Sequence, residues 1–431
     1  MKLPTTAPTW RNRGAPHALP FSLWNAQLRR LGPGKPVLLL DLDALDANLR
    51  AVREALAPGM AVRVVAKSLP SLPLLRFVME RLETRRLMVF DESISILAAA
   101  FPDADLLLGK PLPVQAAAIF LADLEHKGDL PAASRVTWLV DSAERLSQYA
   151  ALARSKGVRL RVSLEVDVGL HRGGAPDPAA LRPLLDAIAA EPAHLSLAGL
   201  MGYDAHVTSA PPLFSSVQGA FNATVARYAA FRQVAQDLHR SAPRPGEGLV
   251  FNGGGSKTYM LHRAGGPVNE VALGSCLVKP TDFDVPTLEA HRPALFIATP
   301  VLKRLQGTRV PFLEWLSPAW SLLDPNRELT YFVFGGGWMA KPVSPAGLTA
   351  NPIFGFSTNQ ALLNGSEKTA LHPDDWIFLR PTQSERVIQE LGAIRIVYSE
   401  STTDPLPGAP AAAPTPGPAL LDTWSVLPFS P

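Results

Sequence analysis

The amino-acid sequence predicts an α/β architecture: a (β/α)8 barrel followed by a mostly antiparallel β domain. The first observation behind this is an alternation of strand-like apolar runs with helix-length amphipathic segments, giving eight strands over about 240 residues. The second is a change of texture after Pro280, where short strands separated by turn signals replace the alternation. An open doubly wound sheet produces the same alternation, so the count alone leaves both topologies open.

The elements follow in chain order. Residues 1–35 form an N-terminal extension without a strong period and end at the breaker Gly32-Pro33-Gly34. The β-type run Pro36–Asp43 comes next, with Asp43 placed to cap a helix that carries Leu45, Leu49, Val52 and Leu56 on one face. It opens the barrel region, residues 36–285, and is also free to pair with the C-terminal domain. The barrel strands are expected at Val62–Ala66, Leu87–Phe90, Ala104–Leu108, Val136–Val140, Val158–Val166, Leu195–Met201, Gly248–Phe251 and Glu270–Leu273. A representative helix between them opens at Asp141-Ser142 and stops at Gly157. The β domain, residues 286–402, contains ALFIATPVLKRL, LTYFVFGGGWM, DWIFLRPT and GAIRIVYSE. Residues 403–431 are a Pro/Ala-rich tail, expected to be extended, with Trp424 and Phe429 as candidate docking side chains.

Composition excludes several functions. Hydrophobic content of 47% with 18% charged residues is that of a folded globular chain. The 41 Lys and Arg are nearly balanced by 38 Asp and Glu, which leaves no basic track for nucleic acid. Cys276 is the single cysteine, so neither an intrachain disulfide nor a thiolate zinc cluster can form, in keeping with a reducing cytoplasm. No apolar stretch reaches signal-peptide or membrane-spanning length, and a soluble cytoplasmic protein without a membrane partner is expected.

In a barrel of this kind the chemistry sits at the C-terminal ends of the strands. The run VRVVAK ends in Lys67, either a rim lysine that snorkels to water or a desolvated amine able to form a Schiff base. The run LRVSLEVDVGLHRGG places Ser163, Glu165 and Asp167 on one face, as a buried ion-pair network or as functional groups, with His171 and Arg172 beyond its end. Arg172 is a natural anchor for an anion. GLMGYDAH delivers Tyr203, Asp204 and His206 to the same rim. LVFNGGGSKTY ends in three glycines followed by Ser256 and Thr258, where backbone can approach a phosphate closely; the spacing is not that of a P-loop. ALGSCLV adds Gly274 and Ser275 beside it. A lysine at the first strand and an anion cradle at the last two suit a phosphorylated aldehyde cofactor.

The ordered set PVLLLDLDALDANL, VRVVAKS, EVDVGLHRGG, GLMGYDAH, FNGGGSKTY, ALGSCLVKPTDFD, FGGGWM and LRPTQSE resembles the fold-type III pyridoxal-phosphate enzymes, in particular the D-threonine aldolase and D-serine dehydratase group, whose N-terminal barrel is alanine racemase-like. The resemblance implies pyridoxal 5′-phosphate on Lys67 and its phosphate at Gly254, Gly255, Ser256, Gly274 and Ser275. It implies Arg172 and Tyr203 near the cofactor ring, a β domain closing the site, and a homodimer. It also implies a lyase acting on β-hydroxy-D-amino acids by retro-aldol cleavage, with dehydration second. A racemase, with Cys276 or Tyr331 as second acid–base group, ranks third, and a non-catalytic cofactor carrier is a separate reading. Lys67, His206 and Glu385 are the expected catalytic residues. The chain departs from the family at its metal motif, where Gln383 and Glu385 stand in place of the imidazole and its partner. Oxygen ligands there favour Mg²⁺, Mn²⁺ or Ca²⁺ over Zn²⁺, with His372, His206 or Asp204 as possible completing ligands, and a metal-free site with Glu385 as base is equally open.

Overall fold

The computed structural model describes residues 13–91, 93–211, 216–241, 248–308, 312, 324–351, 353–354, 357–400 and 421–427. Its contacts divide the chain into two units. One comprises the N-terminal segment through Asn48, Leu277–Asp284 and the chain from His291 onward; the other comprises Leu49–Cys276 with Val285–Ala290.

The first strand, β1 (Val37–Asp41), belongs to the first unit. Eight further strands close the barrel of the second unit: β2 (Ala61–Val65), β3 (Arg86–Val89), β4 (Asp105–Leu108), β5 (Val136–Val140), β6 (Leu160–Glu165), β7 (Leu195–Gly202), β8 (Val250–Gly253) and β9 (Glu270–Leu273). Every neighbouring pair is parallel, and β9 pairs with β2, which removes both sheet edges. The closed barrel is present, and the open-sheet alternative is not. These strands read as near-continuous apolar runs because helices cover one face and the barrel core the other. The core carries a buried polar knot. Arg63 is 1% exposed and donates from Nε and Nη2 to the two oxygens of Glu270, at 2.6 and 3.0 Å; Glu270 is itself fully buried. Glu270 also accepts from Asn252 at 2.8 Å and from Arg86 at 2.7 Å.

In the first unit β1 pairs parallel with β16 (Ala393–Val397) and antiparallel with β10 (Leu295–Gln306), and its other pairings are antiparallel. Strand β10 runs on past a bulge at Val301 to Lys303 and pairs with β11 (Leu329–Phe334), which in turn pairs with β14 (Gln360–Gly365). β12 (Ala340–Ser344), β13 (Thr349–Ala350) and β15 (Trp376–Pro381) complete this part of the sheet.

Two sequence expectations are corrected here, and a third, an extended tail in which Trp424 docks, is met. Helix α1 (Phe21–Leu31) lies inside the supposedly aperiodic extension and buries Phe21, Trp24 and Leu28 against Leu39, Phe296 and Phe378. Helix α2 (Leu42–Ala55) is capped by Asp41, whose Oδ1 accepts from the Asp43 and Ala44 N–H groups, rather than by Asp43. Asp43 instead accepts from the backbone of Ser399 and Glu400. Within the tail, Leu421–Ser425 forms β17 on β16, including Trp424, while Phe429 lies outside the described residues.

Candidate active site

Lys67 sits in a single helical turn, Ala66–Ser68, directly after β2. It is exposed, and its Nζ lies 4.6 Å over the ring of Phe90, the residue that follows β3. An aromatic face of this kind attracts a cationic side chain. The neighbouring Ser68 had no role in the sequence reading, yet it fastens this turn to the far side of the barrel seam. The Ser275 hydroxyl donates to Ser68 Oγ at 3.0 Å. One residue earlier, Gly274 donates its N–H to Ser256 Oγ at 3.1 Å. A Cβ at Gly274 would stand 2.8 Å from Ser68 Cβ and 3.0 Å from the Val65 carbonyl, so this close approach requires glycine.

The loop after β8 begins at Gly254, which adopts φ +70°. Gly255 donates to Thr258 Oγ1 at 2.8 Å, and its carbonyl accepts from Thr258 and Tyr259. The loop is thus closed on itself. On its outer side the Tyr203 ring lies where a Gly255 side chain would be, 2.8 Å from the Cβ position. The Arg172 guanidinium stacks 5.0 Å over that same Tyr203 ring, so these two predicted residues meet.

Asp204, 1% exposed, accepts from Thr258 Oγ1 at 2.6 Å and pairs with His262 Nε2 at 3.0 Å. His262 drew no attention in the sequence, because nothing local marks a histidine in the turn Tyr259–Ala264 as the partner of a residue 58 positions away.

At the end of β6 the expected polar face divides. Ser163 is buried and Glu165 half-buried, but the strand ends at Glu165, and Asp167 falls in the loop beyond. Asp167 accepts from the Gly169 and His171 N–H groups and bonds His171 Nδ1 at 2.7 Å. Burial opposes its ionisation, but these donors outweigh it and lower its pKa. Burial raises the Glu165 carboxyl, with Asp141 and Asp167 adding to the effect and Arg172 opposing it. The buried ion-pair knot considered for Glu165 and Asp167 is formed elsewhere, by Arg63, Arg86 and Glu270.

His206 contacts Thr224 Oγ1 through Nε2 at 3.2 Å, and its Nδ1 is buried without a partner among the described residues. Burial lowers its pKa against the pull of Asp204 and Asp167, which favours the neutral imidazole. Of the groups considered for a racemase, Cys276 is wholly buried, and the Tyr331 hydroxyl is buried against Thr369 at 2.7 Å.

Gln383 precedes helix α10 (Ser384–Leu391) in the first unit, and its Nε2 donates to Asp282 at 3.3 Å. Glu385 occupies the first turn, where a carboxylate suits the helix dipole. The possible completing ligands are each engaged within their own unit: Asp204 with Thr258 and His262, His206 with Thr224, and His372 through its backbone with Asp375. No group of three or more His, Cys, Asp or Glu residues converges on a metal-sized site among the described residues. The donors at the metal-motif position are an amide and a carboxylate, Gln383 and Glu385.

A cleft of about 690 Å³, lined by Arg53, Thr84, Arg86 and Asp105 among others, opens at the strands' N-terminal ends. In this architecture that end serves stability, and chemistry belongs to the end that carries Lys67.

Fold and site together define a (β/α)8 barrel with a lysine-bearing turn tied through serine hydroxyls to two glycine-containing loops. The chain belongs to the family of the alanine racemase N-terminal domain, whose model matches residues 40–282. Membership supports pyridoxal 5′-phosphate as the cofactor of this barrel. The chain is 30% identical to an alanine racemase of Limosilactobacillus fermentum over 163 residues, 36% of this chain and 40% of that protein's length. It is 27% identical to a 3-hydroxy-D-aspartate aldolase of Paracoccus denitrificans over 282 residues, 62% of this chain and 68% of the relative. Among solved structures, D-threonine aldolase from Filomicrobium marinum superposes with a TM-score of 0.68 at 17% identity, covering 96% of this chain and 98% of the other. D-threo-3-hydroxyaspartate dehydratase from Delftia sp. HT23 does so at 0.64 and 17%, covering 94% and 100%. At that identity the likeness is one of fold.

Proposed function

We propose that this protein is a pyridoxal-phosphate-dependent lyase that cleaves β-hydroxy-D-amino acids to an aldehyde and glycine, with dehydration as the second reading. The observation that carries it is the pair of hydroxyl bonds, Ser275 to Ser68 and Gly274 to Ser256, which link the Lys67 turn to both glycine loops. A 3-hydroxy-D-aspartate aldolase among the relatives supports this substrate class.

In this reading Lys67 carries the cofactor, and Gly254, Gly255, Ser256, Gly274 and Ser275 hold its phosphate. Arg172 and Tyr203 flank the ring as a stacked pair. When bound, the cofactor's conjugated ring accepts the electron pair of a bond broken at Cα. The chain's own task is then to move protons: off the β-hydroxyl as Cα–Cβ breaks and back to Cα to give glycine, or off Cα and onto a departing hydroxyl. For aldol cleavage, His206 is assigned to the β-hydroxyl, because its neutral imidazole can take that proton as Cα–Cβ breaks. Glu385 is the second candidate for this role. For dehydration, Lys67 takes the Cα proton and the β-hydroxyl leaves as water, protonated by His206 or Glu385. Gln383 and Glu385 stay as the candidate oxygen ligands should a divalent metal bind. A homodimer acting on small D-amino acids completes the proposal.

The test is the visible spectrum of purified protein incubated with pyridoxal phosphate, with and without borohydride, beside Lys67→Ala. A band that borohydride bleaches, and that Lys67→Ala lacks, is expected. A band unchanged in the variant would remove Lys67 from its role. Release of an aldehyde from β-hydroxy-D-amino acids marks the aldolase; ammonia and a keto acid mark the dehydratase.

A further inference from the structure

We infer that Asp204, Thr258 and His262 form a buried clamp that sets the loop after β8 for a phosphate, so that this trio determines how strongly the site prefers a phosphorylated cofactor to the same aldehyde without phosphate. The inference rests on the pyridoxal-phosphate reading above.

A glycine loop recognises an anion through the direction of its backbone, and three glycines in a row have no side chains to fix that direction. Something else must hold it. The two glycines that matter are each braced by a ring, one attached to the Asp204 carboxylate and one adjacent to it in sequence. The Tyr203 ring abuts Gly255 at 2.8 Å from its Cβ position. The His262 ring abuts Gly254, its Cδ2 at 3.0 Å and Nε2 at 3.2 Å from the corresponding point. His262 is held by Asp204 Oδ2 at 3.0 Å and by an edge contact with Phe221, ring centroids 4.9 Å apart. From within the loop, Thr258 Oγ1 accepts from the Gly255 N–H and donates its own O–H to Asp204 Oδ1 at 2.6 Å. All three clamp residues are at most 2% exposed.

Burying a carboxylate is costly unless donors satisfy it, and here two donors from the loop and its following turn do so. The same atoms that make Asp204 tolerable therefore dictate where Gly254 and Gly255 lie. Asp204, Thr258 and His262 are positioning residues: they act through the backbone that meets the phosphate. A clamp of this kind acts directly on the phosphate loop and reaches the Lys67 turn at one remove, through Ser256, Gly274 and Ser275.

The experiment compares the affinities of the full-length protein for pyridoxal phosphate and for pyridoxal, each by visible absorbance titration, in wild type, Thr258→Val, Thr258→Ser and Asp204→Asn. Thr258→Val keeps the side-chain shape and removes the hydroxyl that joins Gly255 to Asp204. The expected result is a loss of pyridoxal-phosphate affinity of about tenfold or more, the scale of one buried hydrogen-bond relay. Pyridoxal affinity should hold within about twofold, and Thr258→Ser should restore the preference. Asp204→Asn should shift the same ratio in the same direction, a check available even if Thr258→Val folds poorly. Equal losses for both aldehydes, or an unchanged ratio in Thr258→Val and Asp204→Asn, would overturn the clamp. A wild type that binds neither aldehyde would instead defeat the underlying cofactor reading, and that outcome is visible before any variant is made.

Discussion

Replacing Arg63 by Met puts the polar knot in the barrel core under direct strain. The guanidinium donates twice to Glu270, to the carbonyls of Leu87 and Asp105 at 3.0 and 2.9 Å, and to Asp105 Oδ1 at 3.1 Å. Asp105 is 31% exposed and close to Arg161, so it can turn to water. Glu270 cannot, since its side chain is wholly buried and keeps only Asn252 and Arg86 as donors. Removing one partner of a buried pair costs ~3–5 kcal/mol, and the surviving Arg86 contact places this case near ~3. Hydrogen exchange by mass spectrometry reads the effect where it falls. Amides of β2 and β9 should exchange roughly a hundredfold faster, because each 1.4 kcal/mol is about tenfold in an opening equilibrium. Adding Glu270→Met should recover most of the loss, since the stranded charge leaves with its partner. A single variant that exchanges no faster than wild type, or a double variant worse than either single one, would refute the reasoning.

Two further outcomes follow from the geometry. Gly274→Ala should lower the affinity for pyridoxal phosphate at least about tenfold with circular dichroism unchanged, because the new methyl meets Ser68 Cβ and the Val65 carbonyl; binding at wild-type strength would deny the tight approach its role. Asp41→Asn should separate from wild type with pH. Burial lifts the Asp41 carboxyl from 3.8 to about 7, so the native state holds its proton longer than the unfolded chain. Its stabilising contribution is complete below about pH 3.8 and is lost as pH rises through about 7. The variant should therefore match wild type near pH 4 and exceed it near pH 8 by up to ~4 kcal/mol, measured by chemical denaturation; equal stability at both pH values would contradict the shift.

Much of this architecture was legible in the order of residues. The barrel strands announced themselves because a parallel strand buried on both faces must be apolar throughout, and Val136–Val140 and Glu270–Leu273 run from first residue to last where the pattern put them. The rim residues Lys67, Arg172, Tyr203 and the glycine loops followed from asking which strands end in reactive groups. What escaped were partnerships across the chain. Asp41 and Asp43 look equally able to cap α2, and the choice is made by where β1 stops pairing. Alternation carried Asp167 onto the face of Glu165, but alternation holds only while the strand lasts. His262, Ser68 and Phe90 have no local signature at all; their roles arise from residues that closure of the barrel brings to them. Helix α1 was missed for a different reason. Its buried face rests on three side chains, Phe21, Trp24 and Leu28, too few to stand out in a segment rich in breakers.

The placement of β1 also fixes an order of events during synthesis. All eight barrel strands lie between Ala61 and Leu273, so their pairings can be completed while the ribosome is still making the rest of the chain. β1 leaves the ribosome before any of them, yet its partners are Leu295–Ala298 and Ile394–Val397. Until those residues emerge, Val37–Leu40 has no strand to pair with, and Phe21 and Trp24 lack the Phe296 and Phe378 rings they pack against. This segment thus cannot become native before those later residues have emerged. Until then its apolar face stands open, an interval in which chaperone capture and misassembly compete with folding.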